Sequence, residues 1–535
     1  MKKVLVVFIF IIISVLSYSQ ATLTSGMTST QFISVINANF NSLGVAEGVD
    51  TLLTTITKSS PYTVINNNFD TLSKYAPASV NIIRLKAGIK GRTYISSINT
   101  NFTSLTTSIN TVFTQNNSLY VSNSGNDNTG NGSYLNPYAT LSKISTVLTD
   151  NTIVNIAKGS TFINDKLDLS GKTNVFVDSY GTGSAPILTG LQSVSGWTNE
   201  GGNIWSKQDN NFPDVITNVF SGSTKYNIAR SAQKTVTTGG DSTFVDSALT
   251  DANGTWDNAE IYVIIEQYLL SISRCKSYSN KTFNISPLKL ATSKHPVQPP
   301  FANLWPVLTG NHYFIQNHRS LLAGVNQWAY NNSTKTLYVF SLSSPLNMTV
   351  SYGDDCIYAN HAKLLTIQNL AINGADRCGV QINNSSYVNI RSSTFNYAGY
   401  YSVLVRNSKT IIIDGLTCND QNSDGISVID NNNVFLQNCT VYKVAYVTGQ
   451  ERGMYEITIG QNGMGIWSNW NRNITMLYNE VSYTGYMGMC TTYTVNSLIQ
   501  YNYVHHITLN FYDGGAIYTA ASDGKILNNI CTDGV

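Results

Sequence analysis

The chain carries little charge. Lys, Arg, Asp and Glu make up 12% of its 535 residues, and the formal net charge is +2. That near-neutral balance argues against nucleic acid as the main partner, because holding phosphates needs a clustered excess of Lys and Arg. Long apolar runs are as scarce. One run, residues 4–16, follows Lys2-Lys3 and precedes Ser17-Tyr18-Ser19. It is short of a spanning helix and reads as the core of a signal peptide over residues 1–19, cleaved before Gln20. No Cys stands beside that point to take a lipid, and no later run is long enough to cross a bilayer. The expected location is secreted or at the cell surface. The seven cysteines are an odd number with no framework spacing. Cys418 and Cys439 read as buried free thiols; Cys356 and Cys378 are the one pair placed to bridge. No nucleotide loop, zinc motif or serine-hydrolase elbow occurs, and no cluster has metal-ligand spacing. No cofactor is expected. Ca²⁺ held by turn carboxylates would need an acidic cluster that the sequence does not supply.

What the chain has in quantity is repetition. Ile367, Ile390, Ile413 and Leu436 are 23 residues apart in turn, and Met476, Ile499 and Ile526 follow at steps of 40, 23 and 27. Three further apolar columns keep the same register. They are Val388, Ile411, Val434, Ile474; Ile372, Phe395, Cys418, Val441, Val481, Val504; and Ile357, Val380, Val403, Ile426, Ile466, Met489. Inside each repeat the apolar residues alternate over short runs bounded by Gly, Asn, Asp and Ser, which is strand periodicity with turns. Three short strands per repeat make one coil of a parallel β-solenoid, with equivalent residues stacked about 4.8 Å apart. Asn479, Asn502 and Asn529 share one column and are expected to form an amide ladder. The step of 40 marks an excursion at about residues 443–463. The fold class is therefore all-β, with residues 348–535 as the main coils. The chain stops part-way through a coil with no closing cap, which reads as a truncated solenoid.

Residues 20–115 differ. INANFNSL, INNNFDTL and INTNFTSL recur at Ile36, Ile65 and Ile98, each placing Ile, Phe and Leu at i, i+4 and i+7. These read as short amphipathic helices in a spacer or assembly module.

A strand, a Gly/Asn/Asp loop and a Pro-x-Ala-Thr-Leu helix follow in YVSNSGNDNTGNGSYLNPYATLSKI, residues 120–144. This combination resembles the start of secreted bacterial right-handed parallel β-helix proteins of the pectate-lyase-like superfamily. The resemblance implies that the helix caps the open end of the solenoid and that residues 116–190 hold the cap and first coils. It continues in NHRSLLAGVNQWAYNNSTKTLYVFS, residues 317–341. Residues 191–347 break the rhythm and read as an inserted β subdomain whose Trp residues are core. The resemblance points to a carbohydrate-active enzyme, hydrolase or lyase, acting on a polysaccharide. The same fold also serves non-catalytic glycan-binding or adhesive solenoids, which stay as the alternative.

Outward positions on the strand that opens each coil include Asn383, Arg406, Trp467, Asn469 and Tyr518. Aromatic faces beside amide and guanidinium groups suit a sugar chain, so these five are the candidate substrate-binding residues. Two Asp-Gly turns enter that strand, at Asp424-Gly425 and Asp513-Gly514. Their glycines are expected to supply positive φ. DGGAIY, residues 513–518, resembles a recurrent motif of the same β-helix proteins and makes Asp513 the leading catalytic candidate. Asp424 stands second; it is three coils from Asp513, roughly 14 Å, too far for an acid/base pair. His506, upstream in the same turn, and Glu456, in the excursion, are the expected partners of Asp513.

Overall fold

The computed structural model describes residues 117–266, 269–286, 288–289, 304–447, 458–459 and 463–534. The signal peptide and helical repeats expected within residues 1–115 lie outside them, as do Glu451, Arg452 and Glu456.

Each coil contributes one short strand to each of three parallel sheets. In one coil these are Cys378–Asn383, Ser386–Arg391 and Thr394–Asn396; in the next, Tyr401–Arg406, Lys409–Asp414 and Thr417–Gln421. The register joins Ile367, Ile390, Ile413, Leu436, Met476, Ile499 and Ile526 as direct partners, step by step. The column from Ile357 to Met489 pairs the same way and ends on Ile517. Up to Ile499 and Ile517 these columns and the third-sheet column through Phe395 and Val441 form one continuous core, while Ile526 in the last coil is exposed. Alternation along each strand sends every second side chain inward, so a period of 23 residues becomes a stack of apolar layers.

The coil corners explain the Asn, Asp and Tyr content. Positive φ recurs at fixed places. It falls at Asn369, Ser392, Asn438, Tyr478, Tyr501 and Asn528 between the second and third sheets, and at Tyr397, Asp420, Lys443, Tyr483, His506 and Asp533 at the end of the third. Asn and Asp tolerate this conformation best; the larger residues are held in it by coils on either side. Inside the corners, polar side chains satisfy backbone groups of the neighbouring coil. Asn479 Nδ2 donates to Asn502 Oδ1 at 2.9 Å, and Asn502 Nδ2 to Asn529 Oδ1 at 2.9 Å. A second ladder, through Ser385, Ser408, Asn431 and Asn471, carries backbone N–H bonds of 2.7–2.9 Å. Its mixed Ser/Asn composition hides it from a search for repeated residues.

The N-terminal end is closed by the helix Leu141–Val147. Asp127 in the Gly/Asn/Asp loop accepts from Ala139 N, Thr140 N and Thr140 Oγ1, and Thr140 in turn caps the helix at Lys143 N. Leu141 and Ile144 point into the first coils.

Residues 191–351 leave the solenoid as sheets that are antiparallel apart from one parallel pairing, of Asn227–Ile228 with Gln327 and Trp328. Trp256 and Trp328 are buried in their cores, and Trp197 and Trp205 pack at the edge. One face of these sheets, carrying Tyr262, Leu270, Ile272 and Phe314, lies on Met464, Met487, Cys490 and Phe511 of the solenoid. The strand Thr458–Ile459 of the excursion pairs with Leu270 and Ser271. That part of the excursion therefore extends the inserted sheet.

Candidate functional site

The first sheet, built from the opening strands, presents three outward rows. Asn360, Asn383, Arg406, Ile429, Asn469 and Thr492 make one; Tyr358, Gln381, Leu404, Ser427, Trp467, Cys490 and Tyr518 make the second. Asp355, Cys378 and Tyr401 begin a third at the strand entry, and the same step continues it to Asp424, Met464 and Met487. The third row faces outward because the next residue in each coil turns in. Gly425 is such a residue. A Cβ there would stand 2.4 Å from Val441 Cγ1 and from Gly465 O, and Gly379, Gly465 and Gly488 are pinned by similar contacts. None of these four glycines has positive φ. The Asp424-Gly425 pair therefore reflects crowding at the core, and the expectation of a left-handed glycine is corrected. At the other turn the left-handed residue is Asp513 itself, with φ 62°.

The inserted subdomain covers only part of this face. Met464, Met487 and Cys490 lie beneath it, with Trp467 half-buried at its margin. Trp467 Nε1 donates to Thr492 Oγ1 at 3.3 Å, and Thr492 Oγ1 donates to Asn469 Oδ1 at 3.0 Å. Trp467 therefore packs at the margin of the covered part, with its ring half-buried. On the N-terminal side Arg377 and Arg406 are exposed and Gln381 and Asn383 are half-buried, which leaves a narrow open strip, while Cys378, Tyr401, Leu404 and Ser427 on the same outward face are buried. Arg377 is held by Asp355, with Nε–Oδ1 at 3.2 Å and Nη2–Oδ2 at 2.8 Å, and also donates to Gln381 Oε1 at 2.7 Å. Burial nonetheless raises the Asp355 carboxyl.

Asp424 follows Tyr401 in the third row, in the buried part of this face. It is fully buried. Gly463 N and Met464 N donate to its Oδ1 at 2.8 and 3.0 Å, and Ser427 Oγ donates to its Oδ2 at 3.0 Å. Burial pushes its carboxyl up to about 6, against the opposing pull of these three hydrogen bonds. The neighbouring Tyr401 hydroxyl is raised by burial and then by the Asp424 charge. A carboxyl that titrates near neutrality is able to give or take a proton at physiological pH.

The other candidates lie apart from it. Asp513 is exposed on the turn before the last described coil, and its backbone oxygen accepts from Tyr486 Oη at 3.1 Å. His506 belongs to the third-sheet corner. It stacks on Tyr483 with centroids 4.6 Å apart, meets His505 Nδ1 at 2.7 Å, and lies 3.9 Å from Asp533 Oδ2. No hydrogen bond among the described residues joins His506 to Asp513, so the expected pairing does not form. Tyr518 is exposed in the last first-sheet strand, two coils beyond Trp467. Cys356 is in the solenoid core while Cys378 is on the outward row, so the two face opposite sides and all seven thiols are free. Among the described residues no helix is long and apolar enough to cross a membrane, and no group of three or more His, Cys, Asp or Glu is placed to hold a metal.

The sequence profile described as a right-handed β-helix region matches residues 355–455. The chain is a right-handed parallel β-helix. No curated protein sequence matches it. Among solved structures it is similar to a protein titled glycoside hydrolase, with TM-score 0.59 and 12% identity over 78% of this chain and 88% of that one. It also overlaps a lacto-N-biosidase from Eubacterium ramulus, TM-score 0.31 and 12% identity, over 90% of this chain and 66% of that one. A third overlap is with the Streptococcus pneumoniae surface protein and adhesin PfbA, TM-score 0.23 and 13% identity, over 33% of this chain and 62% of that one. At such identities the likeness to the first of these speaks to fold alone.

Proposed function

We propose that this is a secreted carbohydrate-active protein, a glycoside hydrolase ahead of a polysaccharide lyase, which takes a glycan along the open strip of the first sheet. Asp424 is its proton-transferring group. The observation that carries this reading is the position of that carboxyl. It is raised to about 6 and fixed by three hydrogen bonds in the buried third row of the laddered face whose exposed row carries Arg406. Arg406, Asn383 and Gln381 supply donors and acceptors for sugar hydroxyls along the strip, and the inserted subdomain forms the wall. The lacto-N-biosidase and glycoside hydrolase titles of similar structures accord with a glycan substrate.

One observation favours the alternative, a glycan-binding solenoid without catalysis. No second carboxylate among the described residues stands beside Asp424. Asp355 shares its row but is three coils away, roughly 14 Å, beyond the separations of paired glycosidase carboxyls. The test is a panel of plant and algal polysaccharides with the purified protein and Asp424→Asn. New reducing ends mark a hydrolase, and unsaturated ends absorbing in the near-ultraviolet mark a lyase. The variant is expected to lose turnover by about a hundredfold or more while still binding. Tight binding by both proteins with no product establishes the alternative.

A further inference from the structure

The inserted region meets the solenoid a second time, at the turns that lead into the first sheet. The segment between Thr217 and Lys225 crosses three successive turns there. Thr217 N and Oγ1 donate to Asp376 Oδ1 at 3.0 and 2.7 Å in the first. Asn218 Nδ2 donates to Tyr397 O at 2.9 Å in the second. In the third, Lys225 Nζ reaches Asp420 Oδ1 and Asn422 Oδ1, each at 3.0 Å, while Asn422 Nδ2 donates to Thr217 O at 3.1 Å and Asn218 Oδ1 at 3.3 Å. Thr217, Asn218, Asp376 and Asn422 are all buried.

The third turn ends in Asp424. Asn422 has both polar side-chain atoms engaged by the inserted region, and its backbone N donates to Ala398 O at 3.1 Å. Two residues on, the Asp424 carboxyl is held from the other side by Gly463 and Met464. We infer that Lys225 is a positioning residue: by tying Asp420 and Asn422 together it fixes the turn that sets the place of the Asp424 carboxyl. This rests on the reading of Asp424 as the reacting group. A cation suits the task because Asp420 and Asn422 present two oxygens and no donor to it, and an ammonium satisfies both. The side chain is only 17% exposed and lies over the Tyr397 ring at 5.7 Å, so water is a poor substitute.

The test uses the full chain with Lys225→Met, and with Lys363→Met as a control. Lys363 is an exposed cation at the start of a second-sheet strand, away from this contact. Two measurements are made: hydrogen exchange of the peptide 420–427, and kcat and KM for reducing-end release from the panel polysaccharides. Lys225→Met is expected to speed exchange in that peptide. It should lower kcat about ten- to a hundredfold, as expected of a displaced reacting group, with KM changed by less than about twofold. Lys363→Met should do neither. Asp420→Asn, which keeps an acceptor oxygen but loses the charge, should show a smaller change in the same direction and serves if Lys225→Met fails to fold. Unchanged exchange in a folded Lys225→Met protein overturns the inference, as does an equal effect from Lys363→Met. If Asp424→Asn is fully active, the reading of Asp424 fails instead, and the exchange result still decides whether Lys225 fixes the turn.

Discussion

Asp424→Asn should stabilise this protein at neutral pH while removing its activity. The carboxyl is raised from an ordinary 3.8 to about 6 because burial disfavours its charge. The folded state therefore binds the proton more tightly than the unfolded chain. Below pH 4 the carboxyl is protonated in both states and contributes its full stability. As pH rises through 6, the folded state is forced to bury a charge that the unfolded chain leaves in water, and that contribution is lost. The interval from 3.8 to about 6 corresponds to about 3 kcal/mol. Asn keeps an acceptor oxygen for Gly463 N and Met464 N, and its amide has Ser427 Oγ to donate to.

The assay is urea unfolding of wild type and variant at steps from about pH 3 to 7.5. Every other titrating group, Asp355 included, is common to both proteins, so the difference between the two curves isolates Asp424. That difference should be near its low-pH limit at about pH 3, begin to grow above the unfolded value, and reach about 1–3 kcal/mol in favour of Asn by pH 7. Curves that stay parallel across the range would show that the carboxyl is not raised, and with it would go the physical basis for proton transfer by Asp424. A gain in stability joined to a loss of turnover is the pattern of a residue kept for chemistry against its cost to folding.

Ile413→Asp places an unpaired charge in the continuous core and should destabilise by more than about 4 kcal/mol, or leave no folded protein; unchanged thermal unfolding would refute the register. Gly425→Ala puts a methyl 2.4 Å from Val441 Cγ1 and from a backbone oxygen, and should cost about 1–3 kcal/mol of overpacking, read as a lower urea midpoint. A thiol reagent should label mainly Cys531 in the native protein, the one exposed cysteine, and all seven in denaturant without reductant; fewer than seven after unfolding would reveal a disulfide.

The solenoid was legible because its forces repeat. Ile390 has the same surroundings as Ile413 one coil on, so each position in a coil is sampled several times within a single chain. The Asn479–Asn502–Asn529 ladder was visible for the same reason: one residue type recurs in one column. The Ser385–Ser408–Asn431–Asn471 ladder does the same work with two residue types and needed coordinates to be seen. Gly425 was legible as a position but not in its cause. An Asp-Gly pair reads as a turn, whereas the contact that demands glycine, Val441, is supplied by the third sheet of the same coil.

The proposed site depends on relations that do not repeat, and local sequence pattern does not single out Asp424. DGGAIY advertises Asp513 by local pattern, yet nothing buries that side chain in the described structure. Asp424 sits in an equally plain NSDG turn and, beyond the nearby Ser427, is set apart by partners far away in the chain. Gly463 and Met464 reach it across the excursion, and Lys225 holds its turn from a region nearly two hundred residues upstream, as the spacing of 197 between Lys225 and Asn422 shows. A carboxyl's proton affinity is set by such burial and by its donors, not by the residues beside it in sequence. The regular coils thus supply a rigid, laddered face, and the inserted region, the part without periodicity, determines which point on that face differs from the rest. Function on a solenoid is to be sought where the repeat is interrupted, and here both interruptions, residues 191–351 and the excursion, converge on the surroundings of Asp424.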